Sequence, residues 1–257
     1  MEKEKFLELF SKESEKEALK LYNYFDLSRK YDLNIFTDEF FTPNLWRKLG
    51  DKISGIHVLT KGLTEESDRR QVLFAPELSG AESLIFPSRY IRIKNMSKFK
   101  EQEHKDYLGS ILGLNIKRDL FGDIMVYENG AYMIISEKIA DYVANNLKQI
   151  GKTPCEVEFI ENFKEIPEPE FDEIMIRVST ERLDSVVSEL INMSRGSASD
   201  GIESGNVMLN YAVQKKKDKH MVLFDIITIR KHGKYIFSED LGYSKKGKRK
   251  LLFKKYI

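Results

Sequence analysis

Residues 181–210 contain the stretch ERLDSVVSELINMSRGSASDGIESGNVMLN, which decides the fold of the C-terminal third of the chain. Its first apolar residues recur at the i, i+3, i+4, i+7 spacing of one buried helix face: Leu183, Val186, Val187 and Leu190. Ser194 is a suitable N-cap for a second short helix, and Gly205 is a suitable end. Alternating residues 207–210 then predict a half-buried strand.

The charge of the chain is divided unevenly. Of its 42 Lys and Arg residues, 17 lie at positions 174–257, together with only 9 of the 41 Asp and Glu residues. The C-terminal third is therefore strongly basic, although the whole chain has a formal net charge of +1. Such a split is typical of a polyanion-binding module attached to a neutral or acidic body.

The composition indicates packed domains in a reducing compartment. The 257 residues are 41% hydrophobic and 11% aromatic, which is enough to form packed cores. Cys155 is the only cysteine, so no internal disulfide can form. The chain shows no secretory signal and no apolar run near the ~20 residues of a membrane helix. We therefore expect a cytoplasmic protein with no membrane contact.

The first two predicted domains differ in their apolar periodicity. Helical spacing dominates residues 1–55, which predict a helical N-terminal domain. Short apolar runs and two amphipathic helices fill residues 56–162. From Tyr90 onward their order is βαββαβ, the ferredoxin-like arrangement that RNA-recognition modules also use. RNA readers of that fold stack bases on aromatic residues of the central strands, but here the third strand offers only Tyr132, which favours a scaffold or docking role for this domain.

A change of composition separates this region from the basic third. Residues 163–173 are rich in acidic side chains and contain Pro167 and Pro169, which predicts an extended linker. Residues 174–257 then predict a domain of two helices and a small β-sheet. The complete chain is thus predicted to be an α+β protein of three domains.

Two arginines stand close to the predicted helix starts of the basic domain. Arg182 precedes the first helix, and Arg195 follows Ser194 in the first turn of the second. A helix start with an arginine beside it suits a phosphate group. The alternative is that both arginines are ordinary surface residues that pair with Asp184 or Glu189.

A second basic run lies near the C-terminus and consists of Lys245, Lys246, Lys248, Arg249 and Lys250. Gly247 would allow this run to form a mobile arm. We expect the basic side chains of such an arm to contact RNA phosphates. Arg177 and Lys234 are further candidates. The run 215–219 is also basic, but a solvated loop that adds to the electrostatic field is the usual explanation of such a run.

Several of these residues match the RNA-binding domain first described in ribosomal small-subunit protein S-four. The first half of that domain resembles Arg182-Leu183-Asp184, Ser194-Arg195, Ala198, Ile202, Gly205, Val207 and Asn210. The second half resembles Asp225, Ile227, Ile229, Arg230 and Gly233-Lys234. The C-terminal domain is therefore expected to be S-four-like.

The resemblance extends over nearly the whole chain to the YlmH family. It is carried by Phe41-Thr42-Pro43, Gly62, Glu66 to Arg70, Asp106-Tyr107-Leu108-Gly109, Leu112-Gly113-Leu114, Gly122-Asp123-Ile124 and the basic residues from Ser244 to Lys250. The family resemblance implies a bacterial ribosome-associated RNA-binding protein in the rescue of stalled translation. It implies ribosomal RNA of the large subunit as the main partner, with tRNA or peptidyl-tRNA and a ribosome-rescue protein as further partners. A looser association with cell division is also attached to the family.

Three positions depart from the pattern of the S-four-like domain. Gly196 and Gly201 stand where better helix formers are common, and each helical glycine costs about 1 kcal/mol relative to alanine. Phe224 stands where a glycine usually precedes Asp225. We therefore expect a weaker second helix and an altered turn.

Searches for a catalytic centre, a metal or a cofactor site are negative at the level of sequence. The four histidines lack metal-ligand spacing, Cys155 has no cysteine partner, and there is no phosphate-cradling loop or nucleophile elbow. Arg182-Leu183-Asp184 also resembles the catalytic stretch of pseudouridine synthases, but the Thr-Ser-Gly continuation is absent. We therefore expect that the protein is not an enzyme. The alternatives are an RNA-modifying enzyme that acts on rRNA or tRNA, and a cell-division-linked interaction protein.

Overall fold

A computed structural model describes residues 1–10, 12–77, 84–97, 102–128, 130–161 and 163–256. The chain has the predicted α+β class and divides into two compact units, Met1–Glu168 and Pro169–Ile257. Across these described ranges, no helix is both long enough and apolar enough to span a membrane.

The first unit contains helices and two β-sheets. In chain order they are α1 (Lys3–Leu7), α2 (Glu15–Tyr31), β1 (Ile35–Phe36), α3 (Pro43–Trp46), β2 (His57–Lys61), β3 (Gln71–Ala75), β4 (Ser88–Asn95), α4 (His104–Gly113), β5 (Phe121–Tyr127), β6 (Gly130–Ser136), α5 (Glu137–Asn146), β7 (Gln149–Ile150) and β8 (Thr153–Ile160). Short 3-10 turns lie at Lys12–Ser14, Gly50–Lys52, Arg118–Leu120 and Phe163–Glu165.

The N-terminal helices pack against a small antiparallel sheet of order β1-β3-β2. One apolar core joins Phe6 and Phe25 of the helices to Val72 and Phe74 of β3. The predicted domain boundary after residue 55 falls inside this core, because β2 and β3 complete the packing of the preceding helices.

A five-stranded sheet of order β5-β6-β4-β8-β7 forms the rest of the first unit, with every neighbouring pair antiparallel. The elements β4, α4, β5, β6, α5 and β8 follow the predicted βαββαβ order. Helices α4 and α5 pack on one face, where Ile91, Ile93 and Met133 meet Tyr107 and Val143. Strands β5 and β6 pair on either side of residue 129, which lies outside the described residues.

The opposite face of this sheet is partly covered by the N-terminal segment of the same unit. Tyr132 is buried in a cluster with Phe40, Leu63 and Ile134. Its ring is therefore unavailable for base stacking, in agreement with the weak aromatic signal in β6.

The second unit contains two helices and one six-stranded antiparallel sheet. Its elements are β9 (Phe171–Val178), α6 (Leu183–Leu190), α7 (Arg195–Glu203), β10 (Val207–Leu209), β11 (Ala212–Val213), β12 (Ile226–Ile229), β13 (Gly233–Tyr243) and β14 (Arg249–Tyr256). The strand order is β11-β10-β12-β13-β14-β9. The two helices and the following strand lie where the sequence predicts them, because the apolar stripe of α6 packs into the core of this unit.

The region predicted as an extended linker, 163–173, is only partly of that kind. It begins with a 3-10 turn, and its last residues already belong to β9. Phe171 pairs with Tyr256 of β14, and their rings form an edge-to-face contact with centroids 5.0 Å apart. The second unit therefore begins earlier than residue 174.

Candidate nucleic-acid interface

The buried carboxylate of Asp184 holds the two arginines that the sequence singled out. Asp184 lies in the first turn of α6, and its side chain is only 4% exposed. Its carboxylate accepts hydrogen bonds from Nε and Nη2 of Arg182 at 3.2 and 3.0 Å and from Nη2 of Arg195 at 3.1 Å. The structure thus shows both arginines paired with Asp184, which was one of the alternatives predicted from the sequence.

Pairing with Asp184 does not remove the arginines from solvent. The side chains of Arg182 and Arg195 are 33% and 51% exposed. Each guanidinium has five N–H donors in a fixed plane, of which Asp184 takes two from Arg182 and one from Arg195. The remaining donors can bind phosphate oxygens while the aspartate fixes the orientation of both groups.

Electrostatics favour the ionised form of this carboxylate. Burial of Asp184 raises its pKa, but the hydrogen bonds and charges of Arg182 and Arg195 outweigh burial, so that the pKa is lowered overall. The charge at the centre of the cluster is thus stable near neutral pH.

The start of α7 has the predicted N-cap. Ser194 Oγ accepts a hydrogen bond from the backbone N–H of Ser197 at 3.1 Å. Gly196 follows in the first turn, and a Cβ atom at that position would meet only Ser194 Oγ, at 3.8 Å. Gly196 therefore leaves open space next to Arg195 at this helix start.

The lysine run 215–219 is anchored to the start of α6. The backbone N–H groups of Leu183 and Asp184 donate to the carbonyls of Lys219 and Lys217, at 2.9 and 3.0 Å. Helix α6 has no side-chain cap, so these carbonyls satisfy two of its first N–H groups.

The anchored run extends the cluster of positive charge. All residues from Lys215 to Lys219 are exposed, and Lys217 forms an ion pair with Glu203 of α7 at 2.8 Å. The lysine run was visible in the sequence, but its position beside Arg182 depends on hydrogen bonds between distant residues. We refer to Arg182, Arg195 and the run 215–219 as the helix-side cluster.

The run predicted to be a mobile arm is instead a β-hairpin. Lys245, Lys246 and Lys248 lie in the turn between β13 and β14, where the N–H of Ser244 donates to the carbonyl of Lys248 at 2.7 Å. Gly247, with φ of 74°, allows the reversal. The prediction of a mobile arm was wrong because the residues after the run form β14, which pairs with strands on both sides.

Arg249 is engaged within the hairpin. Its guanidinium pairs with Glu181 at 2.6 Å and with Asp240, and it lies over the ring of Tyr243 at 5.2 Å. Glu181 directly precedes Arg182, so this ion pair joins the base of the hairpin to the helix-side cluster. Arg249 is therefore placed to position the hairpin, in addition to its predicted contact with RNA.

Three further predicted residues lie on the sheet face opposite to the helices. In the pairing of β9 with β14, Arg177 is directly opposite Lys250, while the neighbouring Val178 is buried on the helix side. Lys234 lies over the ring of Tyr256 at 3.6 Å. It is roughly 30 Å along β13 from the hairpin turn, at about 3.3 Å per residue. The predicted side chains therefore do not form one surface.

A second basic stripe, which the sequence analysis missed, lies in the first unit. Strand β4 alternates buried Ile91 and Ile93 with Tyr90, Arg92 and Lys94, which share the other face. The signal for it in the sequence is the alternation of apolar residues with Tyr90, Arg92 and Lys94 along one short strand.

Aromatic and acidic neighbours hold the side chains of this stripe. Lys61 Nζ lies over the ring of Tyr90 at 5.2 Å, and Arg92 Cζ lies over that of Tyr132 at 5.6 Å. Lys94 pairs with Glu158 at 2.5 Å. Burial lowers the pKa of Lys61. We refer to Lys61, Tyr90, Arg92 and Lys94 as the β4 stripe.

The described part of the chain offers no arrangement suited to metal chemistry. Among the residues with defined positions, no group of three or more His, Cys, Asp or Glu side chains could hold a metal ion. Cys155 is buried and unpaired, and burial raises the pKa of its thiol to about 11.

Comparison with known proteins finds a match to an RNA-binding domain model within the first unit. A family model for an RNA-binding domain in YlmH matches residues 85–164, the region of the five-stranded sheet, which includes Tyr90, Arg92 and Lys94 of the β4 stripe. The match does not include the helix-side cluster.

Two relatives extend the comparison. Ribosome-associated protein quality control protein P2 of Bacillus subtilis (strain 168) is 28% identical over 194 residues, which cover 74% of this chain and 75% of that protein. The solved structure of cell division protein ylmH from Streptococcus pneumoniae superposes with a TM-score of 0.50 at 26% identity. It covers 62% of this chain and 97% of its own chain.

Proposed function

Since this chain belongs to the YlmH family, we propose that it is a non-catalytic RNA-binding factor of the ribosome. Its main partner is ribosomal RNA of the large subunit, with tRNA or peptidyl-tRNA as a second ligand. Its role is in ribosome-associated quality control, the rescue of stalled translation, together with a partner protein. It acts in the cytoplasm.

The observation that carries the proposal is the composition of the helix-side cluster. Two partly exposed arginines are oriented by one buried aspartate, and four lysines are anchored to the same helix start. Fixed guanidinium groups suit phosphate oxygens, and a field of lysines increases the rate of encounter with a polyanion.

The finer architecture supports two RNA-contacting domains. We infer that the five-stranded sheet region is ferredoxin-like and that the second unit is S-four-like, after a helical N-terminal domain. The sheet order, with β4 between β6 and β8, favours the first assignment. The name of the matching family model supports RNA contact by the five-stranded sheet region, and Arg92 and Lys94 of the β4 stripe supply basic side chains for it.

The name of the Bacillus subtilis relative supports the ribosomal assignment. The proposed contacts with the large subunit and peptidyl-tRNA rest on that name and on the family resemblance. The separation of basic side chains over the helix side, the hairpin turn and the opposite sheet face suits an extended RNA surface better than a single nucleotide.

The position of Asp184 favours binding over catalysis. In the alternative of an RNA-modifying enzyme, this carboxylate would have to reach a substrate. It is instead almost completely buried and hydrogen-bonded to two arginines. Its arrangement suits the fixing of basic groups.

Co-sedimentation with purified large subunits tests the proposal. Subunits that carry or lack peptidyl-tRNA would be mixed with the wild-type protein, with Arg182→Ala/Arg195→Ala, and with Lys52→Ala/Lys152→Ala as a control. The control removes the same charge at two exposed positions of the first unit. We expect binding to be stronger with peptidyl-tRNA and to be lost only in the arginine variant.

Two results would contradict the proposal. Equal, weak binding by all three proteins would exclude the helix-side cluster from ribosome binding. A new modified nucleotide in RNA that has been incubated with the wild-type protein would show catalysis.

The name of the Streptococcus pneumoniae structure favours a second candidate function, a division-linked interaction protein. In that case the cellular effect on division would persist in Arg182→Ala/Arg195→Ala. Loss of the effect together with loss of ribosome binding would favour the first function.

A further inference from the structure

Phe224 occupies a backbone conformation that bulky residues rarely adopt. Its φ is 68°, in the left-handed region. It is the third residue of a turn in which the N–H of Asp225 donates to the carbonyl of Val222 at 3.0 Å. Glycine is the usual residue at a position of this kind. Such strain persists where the surrounding structure enforces it, and it is concentrated at functional sites.

The turn is held firmly by its neighbours. Asp225 Oδ2 accepts a hydrogen bond from the N–H of Val222 at 2.8 Å, and Asp225 Oδ1 accepts one from Asn210 Nδ2 at 2.7 Å. The N–H of Phe224 donates to the carbonyl of Phe237 in β13 at 2.8 Å. The position of Phe224 is therefore determined by the sheet.

The side chains of this turn face solvent. Val222, Leu223 and Phe224 are 64%, 44% and 59% exposed, although all three are apolar. More than half of the surface of Phe224 is therefore accessible to a binding partner. A rigid, exposed aromatic residue is a typical anchor for a binding partner.

The surroundings of the turn are basic. The run Lys215–Lys219 and His220 precede the turn with only Met221 between, and His220 forms a backbone bridge with Arg182. Four residues of chain span at most about 14 Å, so Phe224 lies at the edge of the helix-side cluster. An exposed aromatic beside basic side chains is the combination with which proteins bind unpaired nucleotides.

We propose that the ring of Phe224 stacks on an unpaired base of the RNA whose phosphates contact the helix-side cluster. Leu223 and Val222 provide the apolar surroundings of that base. The proposal rests on the proposed function, and it adds a base-contacting residue to a surface that otherwise contacts phosphates.

The substitution Phe224→Gly separates this role from a structural one. Glycine adopts a positive φ without a steric cost, so the urea midpoint of unfolding should rise. The affinity for a short RNA stem-loop with unpaired bases should nevertheless fall on the order of tenfold, the effect of one lost stacking contact. Affinity for the matching blunt duplex, which has no unpaired base, should change little.

Two further variants serve as controls. Phe224→Trp should keep the affinity for the stem-loop, and its fluorescence should be quenched when that RNA binds. Tyr31→Ala, which removes an aromatic side chain of similar exposure from the first unit, should leave both affinities unchanged.

The outcomes distinguish this inference from the proposed function. If the wild-type protein binds neither RNA nor ribosomes, both proposals fail. If wild type and Phe224→Gly bind the stem-loop equally, only the stacking role is excluded. Normal RNA binding by Phe224→Gly with loss of co-sedimentation would also exclude it, because the turn would then contact a protein.

Discussion

Arg195 of α7 donates a hydrogen bond to Asp184 of α6 at 3.1 Å, so that one buried carboxylate joins the two helices and orients a guanidinium toward solvent. Stability and binding are therefore coupled at this position. A change in Asp184 should alter the fold of the second unit and also the geometry of its basic surface.

The substitution Asp184→Asn should lower the free energy of unfolding by about 2 kcal/mol at pH 7, because charge-assisted hydrogen bonds are lost in a buried position. The folded-state pKa of Asp184 is lowered, so its stabilising contribution is present above the unfolded pKa of about 3.9 and is lost as the pH falls through the folded-state value. Urea titrations of both proteins at pH 7 and in acid would measure this. A stability difference that grows in acid would contradict the assignment.

The three lysines of the hairpin turn should contribute electrostatic affinity without contributing stability. For the variant Lys245→Ala/Lys246→Ala/Lys248→Ala, we expect a weaker salt dependence. The slope of log affinity against log salt concentration should become less negative by about 2. Exposed substitutions of this kind usually change the free energy of unfolding by less than about 0.5 kcal/mol each. RNA titrations at several salt concentrations provide the slope, and an unchanged slope would remove the turn from the interface.

The opposed pair Arg177 and Lys250 carries like charges on adjacent strands, an arrangement that destabilises a sheet. Arg177→Glu should therefore raise the free energy of unfolding by about 0.5 kcal/mol. It should also weaken RNA binding, because it reverses a predicted phosphate contact. If stability rises while RNA affinity stays the same, the sheet face opposite to the helices is not part of the interface.

The thiol of Cys155 should be inert in the folded protein. Burial raises its pKa to about 11, so the reactive thiolate is scarce at neutral pH. A chromogenic disulfide reagent should modify the denatured protein rapidly and the native protein slowly, and the native rate should increase with pH toward that value. Rapid modification of the native protein at pH 7 would contradict the burial of this residue.

Local patterns in the sequence were sufficient for much of the second unit. The apolar spacing from Leu183 to Leu190 and the N-cap Ser194 identify α6 and α7, because the information for a helix lies within a few residues of chain. For Asp184, the sequence indicated only that it was one of two acidic residues with which the arginines could pair. The choice between pairing and free exposure depends on the packing of two helices.

The features that could not be predicted from the sequence depend on interactions between residues that are distant along the chain. The run 215–219 is exposed, as expected of a solvated loop, but the sequence did not indicate that its carbonyls cap α6. The run 245–250 was expected to be mobile, but the strand after it pairs on both sides. The first domain boundary was placed at residue 55, although the apolar residues of β2 and β3 belong to the preceding core.

The capping of α6 by the lysine run has a consequence for any attempt to transplant this surface. A peptide or graft of residues 181–210 would carry both arginines, their aspartate and the sequence signature. It would lack the carbonyls of Lys217 and Lys219 that complete the start of the helix. The segment by which this domain is recognised is therefore smaller than the segment required to reproduce its surface, which extends at least to residue 219.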